Sequence, residues 1–342
     1  MPRPVSVVFV SLIIAAAVGV WGVFAWNGGF EELDAIVNRH PSTGIPGLNH
    51  FPSLDQGLMS MAAFNLPVVG REPLFAEGRH FMAQLLANVF AIPIVLLTED
   101  FRAAPGSVAR YSTSWGVFSQ LATSAVMCPL YGVCFSRRSN PRRVAVLPGR
   151  STWIVLISVL IGYGAPAMLI FDPFSWGLKP QIWGVLAFTV YPLYVCLTAS
   201  LLLKTVSSKR GRASRSVQKD SDSNSSLHYV VAGIVGVAGH LSYIGFHLGE
   251  HTGTAATRPD RVAQLVLRFL QIDYVITFAA MLTLAWHELT HSGRISLKPW
   301  RVAGYLLLGW LFIGPGATLA AAWALRERWI RQDTQEEKKR KL

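Results

Sequence analysis

Charge is what this chain lacks most. Only 15% of its residues are Asp, Glu, Lys or Arg, where soluble domains carry about 25%. Hydrophobic residues make up 51% and mean hydropathy is +0.38, a composition that points to membrane rather than to a water-soluble globule. Acidic residues are the scarcest, 19 against 31 basic, for a formal net charge of +12. That surplus sits in loops and tail, at Arg137, Arg138, Arg142 and Arg143, from Lys204 to Lys219, and from Lys338 to Lys341. It comes without the folded basic face and aromatic or helical readers that nucleic acid requires, so no nucleic-acid partner is expected. Basic loops beside membrane spans are topogenic or touch anionic headgroups. Cysteine is nearly absent. Cys128, Cys134 and Cys196 fall inside apolar stretches and read as small buried hydrophobes, not as disulfides or a metal site. Strict apolar alternation over about ten residues is missing, which excludes a transmembrane β-barrel. A Walker loop, a Gly-rich dinucleotide fingerprint and internal repeats are missing too, which weighs against ATP-driven transport and nicotinamide chemistry.

What is present is a series of long apolar runs. Eight are long enough to cross a hydrocarbon core of about 30 Å: 5–25, 81–97, 115–135, 153–171, 182–203, 229–248, 265–286 and 302–325. In lipid each must be a helix, because every backbone N–H has to find its partner within the segment. The expected fold is all-α: one membrane domain over 1–342, with about eight transmembrane helices and one interfacial helix. The first run follows Arg3 without a small-x-small cleavage site and is read as a retained anchor. The loop 26–80 is rich in Pro and Gly and carries 51–69, read as a half-inserted or interfacial helix. Residues 204–227, rich in Ser, Lys and Arg, are expected to be a flexible basic loop dividing five helices from three, and 328–342 a charged tail. Lys and Arg are too evenly shared between the two sides to orient the bundle. The ending Lys338-Lys339-Arg340-Lys341-Leu342 resembles a basic retrieval tail and points to the endoplasmic reticulum. The sequon Asn224-Ser225-Ser226, if glycosylated, would put its loop in the lumen.

Polar side chains within the runs are the functional candidates. Asp273 lies near the middle of the seventh, where a carboxylate costs roughly 2.5–3.5 kcal/mol and has to face protein or a polar cavity. Burial disfavours its ionised form, so a protonated carboxyl able to act as an acid near neutral pH is expected; pairing with a Ser or Tyr is the structural alternative. In the sixth run His240, Tyr243, His247, Glu250 and His251 recur along one helical stripe. Gly314-Pro315-Gly316 breaks the eighth, either widening a pocket or packing helices closely. His287-Glu288-Leu289-Thr290-His291 matches the zinc-peptidase pattern. It stands at the end of its run, before Ser292-Gly293 and without a third ligand downstream, so an interfacial His/Glu cluster is the preferred reading. Glu327 is expected at the interface, paired with Arg326 or Arg328.

Three stretches taken together, Phe51-Pro-Ser-Leu-Asp55-Gln-Gly-Leu, Phe269-Leu-Gln-Ile-Asp273-Tyr, and Gly314-Pro-Gly-Ala-Thr-Leu followed by Trp323 and Arg326-Glu327, make the chain resemble a known family. It resembles the fungal membrane-bound terpene cyclases of meroterpenoid and related biosynthesis, nearest the ascofuranone- and macrophorin-type cyclases and the paxilline A-type membrane proteins. The resemblance implies an enzyme that protonates a prenyl chain, at an epoxide or an alkene, and lets the cation run through ring closures. It implies Asp273 as proton donor and Asp55 as a second carboxylate, with His240, His247 and Glu250 tuning the site or accepting the terminating proton. Trp115, Tyr243, Phe278, Trp310 and Trp323 would stabilise migrating positive charge. No cofactor or metal is implied, and the Asp-rich Mg²⁺ cluster of diphosphate-ionising cyclases does not occur. Expected partners are a lipophilic prenylated small molecule, membrane lipids and neighbouring biosynthetic membrane enzymes. Rival readings are a proton-coupled transporter using Asp273 and the His stripe, which the missing inverted repeat disfavours, the zinc peptidase, and a non-catalytic scaffold.

Overall fold

The computed structural model describes residues 4–45, 48–70, 76–103, 107–137, 147, 149–171, 177–210, 226–250, 261–291 and 297–341. Among them every regular element is helical, as the sequence predicts. Helix α1 (Pro4–Ala16) continues through a π-helical stretch, Ala17–Gly22, into α2 (Val23–Trp26). Helices α3 (Gly29–Arg39) and α4 (Pro52–Val69) follow, then α5 (Ala76–Val89) and α6 (Ala91–Arg102), which join into one apolar rod. Next come α7 (Ser112–Ala122), α8 (Ser124–Ser136), α9 (Gly149–Val159) and α10 (Ala165–Leu169), the last two linked by a π-helical Leu160–Gly164. Helices α11 (Leu178–Thr189) and α12 (Tyr191–Arg210) meet at a bend of 62°. The remainder is α13 (Leu227–Glu250), α14 (Arg261–His291), α15 (Pro299–Ile313) and α16 (Pro315–Lys341). Proline starts α4 and α15 at a position where its missing N–H is no loss.

Five described helices are long and apolar enough to cross a membrane, and the bent pair α11–α12 would make six. The two other expected spans are interrupted. Run 115–135 breaks at Thr123, with φ +75° and ψ +155°, and run 302–325 breaks at Gly314, with φ +89°.

Helix α14 is the hub, packing on α8 along one side and on α16 along another, while α8 also packs on α1, and α13 on α5 and α16. Phe278, Met281 and Leu284 of α14 are sealed in a core that also takes Phe9, Ile94, Val95, Tyr131 and Trp323. Such contacts stabilise through dispersion and close fit.

At the Gly314 break, side chains from α5 and α13 meet the interrupted backbone. Pro315 has no N–H, so the Leu311 carbonyl loses its donor four residues on. His240 replaces it, donating from Nε2 to Leu311 O at 3.0 Å while Nδ1 accepts from Gln84 Nε2 at 3.0 Å. Asn88 donates to Gln84 O at 2.9 Å and accepts the Gly316 N–H at 2.9 Å. A Cβ on Gly316 would stand 2.3 Å from the Asn88 carbonyl oxygen, and one on Gly314 2.8 Å from Asn88 Oδ1. Glycine is therefore required for contact. The break is a latch.

Candidate functional site

Asp273 projects from α14 toward the start of α8. Its Oδ1 accepts the Ala125 backbone N–H at 2.8 Å. Ala125 is the second residue of α8, and the first amides of a helix have no acceptor within it. A threonine at the position before the helix would ordinarily fold its hydroxyl back onto such an amide. Thr123 makes no side-chain cap; its φ of +75° turns it away. That backbone region costs a β-branched residue on the order of 1–3 kcal/mol. Asp273 thus caps α8 from a neighbouring helix, where the positive end of the helix meets it. The Thr123 hydroxyl lies beside the same carboxyl, its oxygen buried and not itself closing a hydrogen bond. The Cys128 thiol, one turn along α8, is the other titratable neighbour.

The remaining candidates fall into separate groups. Tyr243 and Phe278 are joined through Phe81 and Tyr274, with ring centroids 5.8 Å apart for Tyr243–Phe81, 5.7 Å for Phe81–Tyr274 and 5.0 Å for Tyr274–Phe278. His247 extends this aromatic row, 4.4 Å from Tyr243. Tyr274 follows Asp273 in sequence but lies about 100° round the helix, toward α5. Trp115 donates its indole N–H to Val108 O at 2.9 Å and meets Tyr131 edge-on at 5.4 Å. Trp310 packs half-buried against the core. Trp323 is fully buried, 6.0 Å from the Arg326 guanidinium. Both ring nitrogens of His240 serve the latch. The Glu250 side chain, His251 and the Asn224 sequon lie outside the described residues.

Asp55 occupies the first turn of α4 and is buried. The Thr43 hydroxyl donates to its Oδ1, as does the Thr43 backbone N–H at 3.2 Å. These hydroxyl contacts, Thr43 first and then Ser42, hold its carboxyl below the usual aspartate range, so it is an anion near neutral pH. No hydrogen bond or ion pair joins Asp55 to Asp273 among the described residues.

Sequence reading missed a second polar site, where α6, α14 and α16 converge. Arg326 binds Glu99 Oε1 at 2.7 Å and Glu288 Oε2 at 2.9 Å. Arg102 binds Glu99 at 3.0 Å and also Glu327, which Arg331 reaches at 3.4 Å. Among the described residues Glu327 therefore pairs with Arg102 and Arg331 and not with Arg326 or Arg328, contrary to expectation. Adjacent helical residues point about 100° apart and do not face each other. The rival zinc-peptidase reading finds no support here. Glu288 is committed to Arg326, the His287 and His291 rings stack at 4.1 Å, and no metal-holding group of three His, Cys, Asp or Glu occurs among the described residues.

An open apolar groove of about 540 Å³ runs between α13 and α15–α16, lined by Tyr229, Gly233, Ile234, Ala317 and Ala320 among others. No residue of α8 or α14 lines it.

The relatives of this chain agree with the resemblance carried by Asp55, Asp273 and the Gly314–Glu327 stretch. A terpene cyclase of Aspergillus nomiae, rstn5, is 59% identical over 336 residues, 94% of each chain. A terpene cyclase of Pyrenophora dematioidea is 48% identical over 336 residues, 96% of each chain. Terpene cyclase alnG of Emericella nidulans is 26% identical over 246 residues, 64% of this chain and 63% of its own. No solved structure matches. The CtvD domain family model matches residues 5–265 and 251–331, a span holding both the Asp273 cap and the Arg326 network, and the chain belongs to that family.

Proposed function

We propose that this chain is a membrane-bound terpene cyclase of secondary metabolism, acting on a prenylated, lipophilic precursor of meroterpenoid type. The relatives named terpene cyclases support the reaction class. The observation that carries the choice of acid is what surrounds each deep carboxylate. Glu99, Glu288 and Glu327 are each held by guanidinium groups, and a carboxylate so paired has no proton to give near neutrality. Asp273 is engaged by a neutral backbone amide, and no cation pairs with it among the described residues.

In this mechanism the Asp273 O–H bond breaks as the proton adds to the terminal alkene carbon or epoxide oxygen of the prenyl chain. A tertiary cation forms, neighbouring double bonds close onto it, and loss of a proton to a base ends the sequence. The carboxyl supplies the proton directly, so the step calls on no metal. The row Tyr243–Phe81–Tyr274–Phe278 offers ring faces that can stabilise a passing cation. Five or six apolar helices support residence in a membrane, where such a substrate partitions, and the basic tail supports the endoplasmic reticulum. His247 and Glu250 remain proposed acceptors of the terminating proton.

The test is product formation from a farnesylated aromatic precursor and its terminal epoxide, in microsomes carrying the chain. Asp273→Asn is expected to lower turnover by about 10²–10⁴-fold, the usual contribution of a positioned acid, with the protein still folded in the membrane. Wild-type turnover by that variant removes Asp273 from the mechanism.

A further inference from the structure

We infer that Thr123 is the positioning residue of the acid, its hydroxyl supporting the Asp273 carboxyl as the proton leaves. This rests on the reading of Asp273 as proton donor. Among the described residues Thr123 is the one non-glycine with positive φ, and it stands where run 115–135 breaks. A break there does not itself need threonine. Glycine adopts this backbone without strain and would begin α8 equally well, since the turn uses only the Thr123 carbonyl, which accepts the Met127 N–H at 3.1 Å. What threonine has and glycine lacks is a hydroxyl, and here it lies beside Asp273 with its oxygen buried and unpartnered.

The chemistry gives that hydroxyl a task. When Asp273 releases its proton, negative charge develops on the carboxyl in apolar surroundings and needs donors aimed at it in advance. A guanidinium would do this, as Arg326 does for Glu99, but it would also remove the proton before substrate arrived. Neutral donors avoid that. The Ala125 amide already holds Oδ1 at 2.8 Å, and the Thr123 hydroxyl, buried beside the carboxyl without a partner of its own, is placed to become the second neutral donor as charge develops. The left-handed backbone keeps that hydroxyl off its own helix and leaves the Ala125 amide to Asp273.

Three variants in microsomes, with melting temperature measured after detergent extraction, test this. Thr123→Gly is expected to melt at or above the wild-type temperature, because strain is relieved, while kcat falls at least about tenfold. KM should stay within about twofold, because the loss lies in the transition state rather than in binding. Thr123→Val, which keeps the branched shape without the hydroxyl, should lose kcat similarly, and Thr123→Ser should stay within about threefold of wild type. Wild-type kcat in both Thr123→Gly and Thr123→Val overturns the inference, and so does a fall in Thr123→Ser as deep as in Thr123→Val. Asp273→Asn is assayed alongside. Its full activity would sink the acid assignment itself, whereas its inactivity with a fully active Thr123→Gly sinks only the role of the hydroxyl.

Discussion

Two buried aspartates here have opposite surroundings, and the difference decides what each can do. Asp273 meets one amide and a nearby hydroxyl at the start of α8. Asp55 is gripped by Thr43 through both hydroxyl and amide, which depresses its folded-state pKa below 3.8. A depressed carboxyl contributes stability that is present above its unfolded pKa and lost as pH falls through the folded value. Asp55→Asn should therefore melt below wild type at pH 7, and the two melting temperatures should begin to converge as pH drops below the ordinary aspartate value of 3.8 and meet only below the depressed folded value. A gap that persists unchanged at pH 2 would mean the carboxylate charge is not what holds Thr43. Asp273 was legible from sequence because a lone acid in an apolar run has few bland explanations. Thr123 was not. Ala122-Thr123-Ser124 contains neither Gly nor Pro, and the run holds its Gly116 and Pro129 elsewhere, so nothing local announces the break.

At the scale of elements, the two interrupted runs behave differently. Gly314-Pro315-Gly316 advertises its break, but not what fills it. The filling comes from α5 and α13, through Asn88, Gln84 and His240. Replacing His240 with Phe keeps an aromatic ring but strands the Leu311 carbonyl and the Gln84 amide. The expected loss is about 1–3 kcal/mol, the penalty for a buried polar group left without its partner. It should appear as a lower melting temperature. If the role is this latch alone, kcat per folded molecule should hardly move. Gly316→Ala should be worse for stability, since its methyl meets Asn88 backbone at 2.3 Å and backbone cannot swing aside. The stripe His240, Tyr243 and His247 was read correctly as one face of one helix. Yet its members have different neighbours, a backbone break for His240 and an aromatic row for the other two.

Across the whole molecule, the Arg326 network ties together helices distant in sequence. Glu99 sits 227 residues from Arg326, and Arg102 sits 225 from Glu327. A buried ion network is not itself proof of high stability, but removing one partner leaves charge stranded, typically at about 3–5 kcal/mol. Arg326→Met takes the Arg326 guanidinium from both Glu99, which keeps Arg102, and Glu288. It is expected to reduce the folded fraction recovered in detergent far more than Asp273→Asn does, as measured by size-exclusion recovery and thermal melting. Comparable recovery of the two variants would show that the network is dispensable.

Composition and local pattern were enough to give helices throughout, long apolar runs, Asp273 as an acid candidate and a break at Gly314, and three short stretches around Asp55, Asp273 and Gly314 carried the family resemblance. Each of these is written in residues that stand close together, where spacing of three, four or seven tells which face a side chain occupies. Partners are another matter. That Asp273 caps α8 across 148 residues, that Glu327 ignores Arg326 for Arg102, and that Thr123 turns its hydroxyl off its own helix were settled when the helices packed. A helical pattern names the face but not the neighbour, and only packing brings two faces to one place.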